Sequence, residues 1–184
     1  MVADTGTPVR YECGTATVRP DAALYSELHK VLQGIAKATN VTLAFTFQPL
    51  GAPAVAQGKA KGGNVANIPN EPQSCKSPSL LETLEDPLTP APLGLGIITQ
   101  WTENKNDAVA RSQIAQLIKS IESTAKARGK LLPFQFQNDA WNTQSPLRSY
   151  GTESLSYLQK TSKKYDPDQV FQKLQNGGFL ISRA

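Results

Sequence analysis

The hydrophobic period of this chain switches from two to about three and a half and back again, twice, and few folds accommodate that order. Residues 9–18 (VRYECGTATV) set Val9, Tyr11 and Cys13 against Arg10, Glu12 and Gly14, the alternation of a strand with one dry face. Pro20-Asp21 stops this run and opens a helix whose Leu24, Leu28, Val31, Leu32 and Ile35 form one apolar stripe. Residues 41–48 alternate once more. Val41, Leu43, Phe45 and Phe47 point toward that helix, and Thr42, Ala44, Thr46 and Gln48 point away. A third strand is expected over 96–103 (GIITQWTE), followed by a long helix capped by Asn106 and ended by Gly129. Its buried stripe is Ala110, Ile114, Leu117, Ile118, Ile121 and Ala125. A fourth strand is expected over 132–138, with Leu132, Phe134, Phe136 and Asn138 alternating with Pro133, Gln135 and Gln137.

Two strand–helix–strand units in succession predict an α+β fold, a ferredoxin-like antiparallel sheet with both helices on one face. A helical tail follows, so the chain divides into a unit over 1–148, interrupted by a long loop at 51–95, and a tail over 149–184. In the tail Leu155, Leu158 and Tyr165 share one side of a helix. It stops at Asp166-Pro167, because the residue before a proline is pushed out of the helical region. A second turn at 169–174 ends at Asn176-Gly177-Gly178. Loop 51–95 is rich in Pro, Gly, Ala and Ser, with one short helical turn at Leu80–Leu84.

At 184 residues, with 39% hydrophobic and 18% charged, the chain has the makings of one soluble globular body with a real core. The net charge of +4 comes from scattered side chains. Its densest groups, Lys59 with Lys61 and Lys160 with Lys163-Lys164, lack the interleaved aromatics of a nucleic-acid groove, so no nucleic acid is expected as a partner. The start has no basic and apolar leader and no long apolar span follows, which sets the expectation of a cytoplasmic protein with no membrane partner. In that compartment the sequon Asn40-Val41-Thr42 goes unused. Two cysteines, Cys13 as a small core residue and Cys75 as a loop thiol, make neither a disulfide framework nor a metal site. The single histidine, His29, flanks the first helical stripe with nothing nearby to tune it as a base.

The tail run YG…SL..L…..KYDPDQVFQ.L..GGF, residues 150–179, resembles the C-terminal end of the berberine-bridge-enzyme-like FAD-linked oxidases of the vanillyl-alcohol-oxidase group. Further matches stand in the family's order at Gln48-Pro49-Leu50, Gly62-Gly63-Asn64, 98–101 and 133–140, so the resemblance covers nearly the whole chain. It implies a sheet that roofs the flavin ring with substrate between them, and it sets Gln48, Gln100, Phe136, Asn138 and Asp139 near the substrate site. It also implies an ordered loop around Gly62-Gly63 near that site and an insertion over 72–92. Phe136 stands where the family's tyrosine would be, so a phenol acid or base is missing there. The Gly-rich loops and the His or Cys that hold flavin in the family would precede residue 1, and Gly62-Gly63 alone reads as a turn. The expectation is therefore no cofactor, since hydride would have no acceptor in these residues.

On the face expected to be free of helices the sequence sets Arg10, Glu12, Thr46, Gln48 and Gln100, with Gln135 and Gln137 in competition with Phe136 and Asn138 for the same side. Amide-rich faces suit hydrogen bonding to a neutral oxygenated ligand. The expected function is a cofactor-independent, non-redox enzyme of fungal secondary metabolism, a cyclase, pericyclase or isomerase descended from a truncated oxidase, acting on a polyketide- or terpenoid-like small molecule. Gln48, Glu12, Asn138 and Asp139 are its catalytic candidates, with Glu103 a further proton carrier. Gln100, Phe136, Thr46, Tyr11 and Trp101 are candidates for substrate contact. A non-catalytic partner subunit or binding module, and a fragment of a flavin-dependent oxidoreductase, are the competing readings. In each the open face needs a cover, and a homodimer is the expected one.

Overall fold

The computed structural model describes residues 8–36, 41–49, 52–69 and 93–184. Strand β1 (Arg10–Val18) leads through helix α1 (Ala22–Ala36) to β2 (Thr42–Pro49), and helix α2 (Ala52–Ala60) follows. Then come β3 (Leu93–Trp101), α3 (Asp107–Ala127), β4 (Leu131–Leu132) and the helices α4 (Pro146–Ser149), α5 (Thr152–Tyr165) and α6 (Val170–Leu174). The sheet order is β2-β3-β1-β4 with every neighbouring pair antiparallel. That is the ferredoxin-like α+β arrangement, in which β1 and β2 run the same way on either side of β3.

Both long helices lie on one face. Leu24 and Leu28 of α1 meet Ile114, Leu117, Ile118, Ile121 and Ala125 of α3 over Ala16, Val18, Leu43, Leu95 and Ile97 of the strands. Burying such side chains stabilises by about 1.5–3 kcal/mol each. Asp21 starts α1 by accepting the Leu24 amide at 2.9 Å, a cap worth about 1 kcal/mol. Gly129, at φ 64°, ends α3, and the Lys130 amide turns back to the Ala125 carbonyl at 2.8 Å.

Several expectations need correction. The fourth strand is two residues long rather than seven. Pro133 has no amide to donate to β1, and Phe134 leaves the sheet to pack with Leu147 and Tyr150 in a second cluster. The third strand begins three residues earlier than expected and ends two earlier, at Trp101. Its indole donates to Asp107 at 2.6 Å where α3 begins. Helix α2 was not expected, because its alanines carry helix propensity without an apolar stripe. Tyr165 does not join the buried side of the tail helix and is 73% exposed. Leu155 and Leu158 do, resting with Phe179 and Ile181 on the Phe134 cluster. The expectations for the 72–92 insertion, the 80–84 turn, Cys75 and Asn40 lie outside the described residues. No described helix is long and apolar enough to cross a membrane.

Candidate functional site

Register decides which side chains share the helix-free face. Opposite β1 residues facing the helices, such as Gly14 with Ile118 against its Cα, stand Tyr11, Cys13, Thr15 and Thr17. Across the three long strands they form four rows: Thr42–Gln100–Tyr11, Ala44–Ile98–Cys13, Thr46–Gly96–Thr15 and Gln48–Gly94–Thr17. Polar rows thus bracket one apolar row. The β2 end of this face is an open platform, with Thr42, Ala44, Thr46 and Gln48 all exposed.

The β1 end is covered by the segment that replaces the missing length of β4. Gln144, almost fully buried, acts as a substitute strand neighbour. Its Oε1 accepts the Thr15 amide at 3.0 Å, and its Nε2 donates to the Thr15 carbonyl at 2.7 Å. The same Oε1 accepts the Trp141 amide at 2.9 Å. Both main-chain groups of Thr15, itself 1% exposed, are therefore satisfied by one side chain.

This clasp brings the turn at 137–139 over Gly96. Gln48 Nε2 donates to Asp139 Oδ2 at 3.3 Å. A Cβ on Gly96 would lie 3.0 Å from Gln48 Nε2 and 3.1 Å from both Asp139 Oδ2 and Thr46 Oγ1. Glycine is what allows an amide, a carboxylate and a hydroxyl to converge on one point of the central strand. Beside them the Cys13 thiol is pushed up by burial and, secondarily, by the Asp139 charge. Asn138 and Phe136 are exposed on the same segment, Gln100 is half-buried, and Tyr11 is exposed.

The structure thus gathers Thr46, Gln48, Gln100, Tyr11 and Asp139 at one face, with Asn138 and Phe136 exposed on the segment that carries Asp139. Glu12 and Trp101 are not there, which corrects their expected placement. Glu12 turns to the helix side, where Arg111 Nε donates to its Oε1 at 2.7 Å and the Trp141 indole donates to its Oε2. Arg10 is likewise on that side, paired with Asp107 at 3.3 Å. Glu103 pairs with Lys105 at 2.6 Å outside the site. Gln135 and Gln137 do not compete for the face, since Gln135 Oε1 accepts the Ser145 amide at 2.9 Å and Gln137 Oε1 accepts the Tyr150 hydroxyl at 3.3 Å. Missed in the sequence were Gly96 and Gln144. The signal for Gly96 was a glycine inside a strand pattern, which marks a close approach.

The class these features define is a ferredoxin-like α+β unit with a polar, partly covered sheet face. Comparison with known proteins gives the relatives of that unit. An FAD-dependent monooxygenase of Arthrobotrys oligospora is 33% identical over 144 residues, 78% of this chain and 24% of that protein. The bifunctional solanapyrone synthase of Alternaria solani is 30% identical over 176 residues, 94% of this chain and 30% of its own length. An FAD-dependent monooxygenase of Cochliobolus heterostrophus is 28% identical over 183 residues, 95% of this chain and 32% of that protein. The chain is thus related to one part of fungal FAD-dependent monooxygenases and spans about a quarter to a third of their length. No family model and no solved structure matches it.

Gly62 and Gly63 close the C-terminal end of α2, their amides donating to the Lys59 carbonyl at 3.1 Å and the Gly58 carbonyl at 2.8 Å. Amides so used do not face a diphosphate, and the carbonyl end of a helix repels one. The pair does not fit the dinucleotide phosphate of the FAD that those names carry.

Proposed function

We propose that this chain binds an oxygenated, carbon-rich small molecule on its helix-free face and catalyses a non-redox isomerisation or ring closure there. The observation that carries this reading is the meeting of Gln48, Asp139 and Thr46 over Gly96. The Gln48 amide already spends one N–H on Asp139, which orients the group. Its second N–H is left to polarise a substrate carbonyl, while the Asp139 carboxylate takes or returns a proton at the adjacent carbon. Ile98 and Ala44 supply the apolar row against which a polyketide- or terpenoid-like skeleton would lie, and Gln100 and Tyr11 bind its far oxygens. The names of the fungal relatives, and the likeness of the tail to the berberine-bridge-enzyme-like branch, support a place in secondary metabolism.

The test is isotope wash-in. Purified chain is incubated in D2O, free of air and added flavin, with unsaturated carbonyl compounds of the polyketide type, and deuterium at the carbon next to the carbonyl is followed by mass spectrometry. Asp139→Asn and Gln48→Ala should each slow exchange or turnover about tenfold to a thousandfold. Equal rates in wild type, both variants and buffer would overturn the proposal.

A second reading, a substrate-holding body that works against a separate cover, is favoured by the openness of the β2 end and by Phe171 and Leu174 of α6, which are 71% and 79% exposed. The cover would be a flavoprotein or a second copy of this chain. Light scattering of the purified chain, alone and with a flavin-binding partner, separates the two.

A further inference from the structure

Behind the Gln144 clasp at the edge of β1, segment 142–148 and the C-terminal run 178–184 line a cavity of about 240 Å³. Two arginines line it, Arg148 from α4 and Arg183 from the last turn, together with Asn142, Thr143 and Ser145. The six arginines of the chain divide sharply by partner. Arg10 meets Asp107 at 3.3 Å, Arg19 the Gly129 carbonyl at 3.0 Å, Arg111 Glu12 at 2.7 Å and Arg128 Glu27 at 2.6 Å. The guanidinium groups of Arg148 and Arg183 have no hydrogen-bond or ion-pair partner among the described residues, and these are the two arginines that share a cavity. No Asp or Glu side chain lines it. The terminal residue, Ala184, does, but pairs with neither guanidinium.

Both arginines stand on anchored backbone. Leu147, next to Arg148, is 6% exposed, and Leu180, which opens the turn carrying Arg183, is 5% exposed. The Ser182 amide is further tied to Gln172 Oε1 at 3.2 Å. The fold therefore brings two permanent cations, both exposed, to the lining of one cavity, an arrangement that an anion relieves.

We propose that this cavity is a binding site for a dianionic oxyanion, a phosphate group or a dicarboxylate, clamped between Arg148 and Arg183. Forked guanidinium groups take such anions through paired, charge-assisted hydrogen bonds, and the Thr143 and Ser145 hydroxyls supply neutral donors. The site shares only the Gln144 clasp with the cover of the helix-free face and does not depend on the reaction proposed there.

Isothermal titration of the purified chain tests it, with inorganic phosphate, pyrophosphate or succinate as the probe and chloride at equal ionic strength as the control. Saturable heat is expected with the phosphates or with succinate, and which of them binds assigns the source. Arg148→Gln and Arg183→Gln should each weaken binding about tenfold, and the double variant should lose it. Because neither side chain has a partner to lose, circular dichroism of the variants should match wild type. Heat no greater than that of chloride, or a double variant that binds as wild type, would overturn the assignment.

Discussion

Replacing Gln144 by Ala removes three hydrogen bonds at once, two of them to the Thr15 main chain. Because Thr15 is 1% exposed, its amide and carbonyl would be left without partners where water has little access. Each such loss costs about 1–3 kcal/mol, so Gln144→Ala should destabilise by about 2–6 kcal/mol. That is a large share of the roughly 5–15 kcal/mol by which a domain is stable. Urea unfolding followed by tryptophan fluorescence reads this as a fall in midpoint at unchanged slope. Gln144→Glu sharpens the test. A carboxylate keeps both acceptor bonds but sets its second oxygen against the Thr15 carbonyl, which the native Nε2 approaches to 2.7 Å. Only the protonated acid can donate there, so the folded pKa of the introduced carboxyl is raised. Its contribution is present below the unfolded value and lost as pH rises through the folded one. Gln144→Glu should therefore lie near wild type at about pH 4 and well below it at pH 7. A loss under about 0.5 kcal/mol for Gln144→Ala, or a pH-independent Gln144→Glu, would refute the idea that this amide stands in for a strand.

Gly14→Ala would bring a Cβ to 2.6 Å from Ile118 Cδ1, and this overpacking should cost about 1–3 kcal/mol in urea unfolding. Pairing it with Ile118→Val should restore most of the loss; no recovery would mean that the strain lies elsewhere. Glu122 is raised by burial, so folding favours its protonated form and stability falls as pH climbs from the unfolded pKa to the folded one. Glu122→Gln should accordingly be more stable than wild type at pH 7 and lose that advantage in acid, as thermal melts would show. The Cys13 thiol is raised first by burial and then by Asp139, so Asp139→Asn should move its alkylation profile to lower pH without bringing it to that of a free thiol. Iodoacetamide rates with the product located by peptide mapping measure this, and an unchanged profile would separate Asp139 from the face.

The β2 face was legible because its helix side carries bulk. Phe45 and Phe47 stack edge to face at 5.2 Å and Tyr25 of α1 meets Phe47 at 4.8 Å, so alternation there has one reading. Strand β1 offered two, since its first half puts Tyr11 and Cys13 against Arg10 and Glu12, while its second half puts Ala16 and Val18 against Thr15 and Thr17. The core lies under the second half, where Ala16 and Val18 are buried. Polarity in the first half reported only the end of the sheet, not its facing. The cover over Thr15 was illegible for another reason. A glutamine that imitates a strand has no period, and Pro133 removes the strand it replaces.

The position of Glu12 follows from a match of spacings that alternation alone does not reveal. Two residues along a strand advance roughly 6.6 Å and four along a helix about 6.0 Å, so charges at Arg10 and Glu12 can meet charges at Asp107 and Arg111 rung by rung. The signs are crossed as such a ladder requires, Arg10 to Asp107 and Glu12 to Arg111. With Arg111 56% exposed and Arg10 44% exposed at their side chains, these rungs contribute little to stability. Their effect is to hold the first turn of α3 in register with the end of β1. The Trp141 indole joins the same carboxylate from the covering segment, which links the helix layer to the turn that carries Asp139. Glu12 is therefore committed to holding that segment down, and the proton chemistry proposed for the opposite face falls to Asp139, the carboxylate that the structure places there.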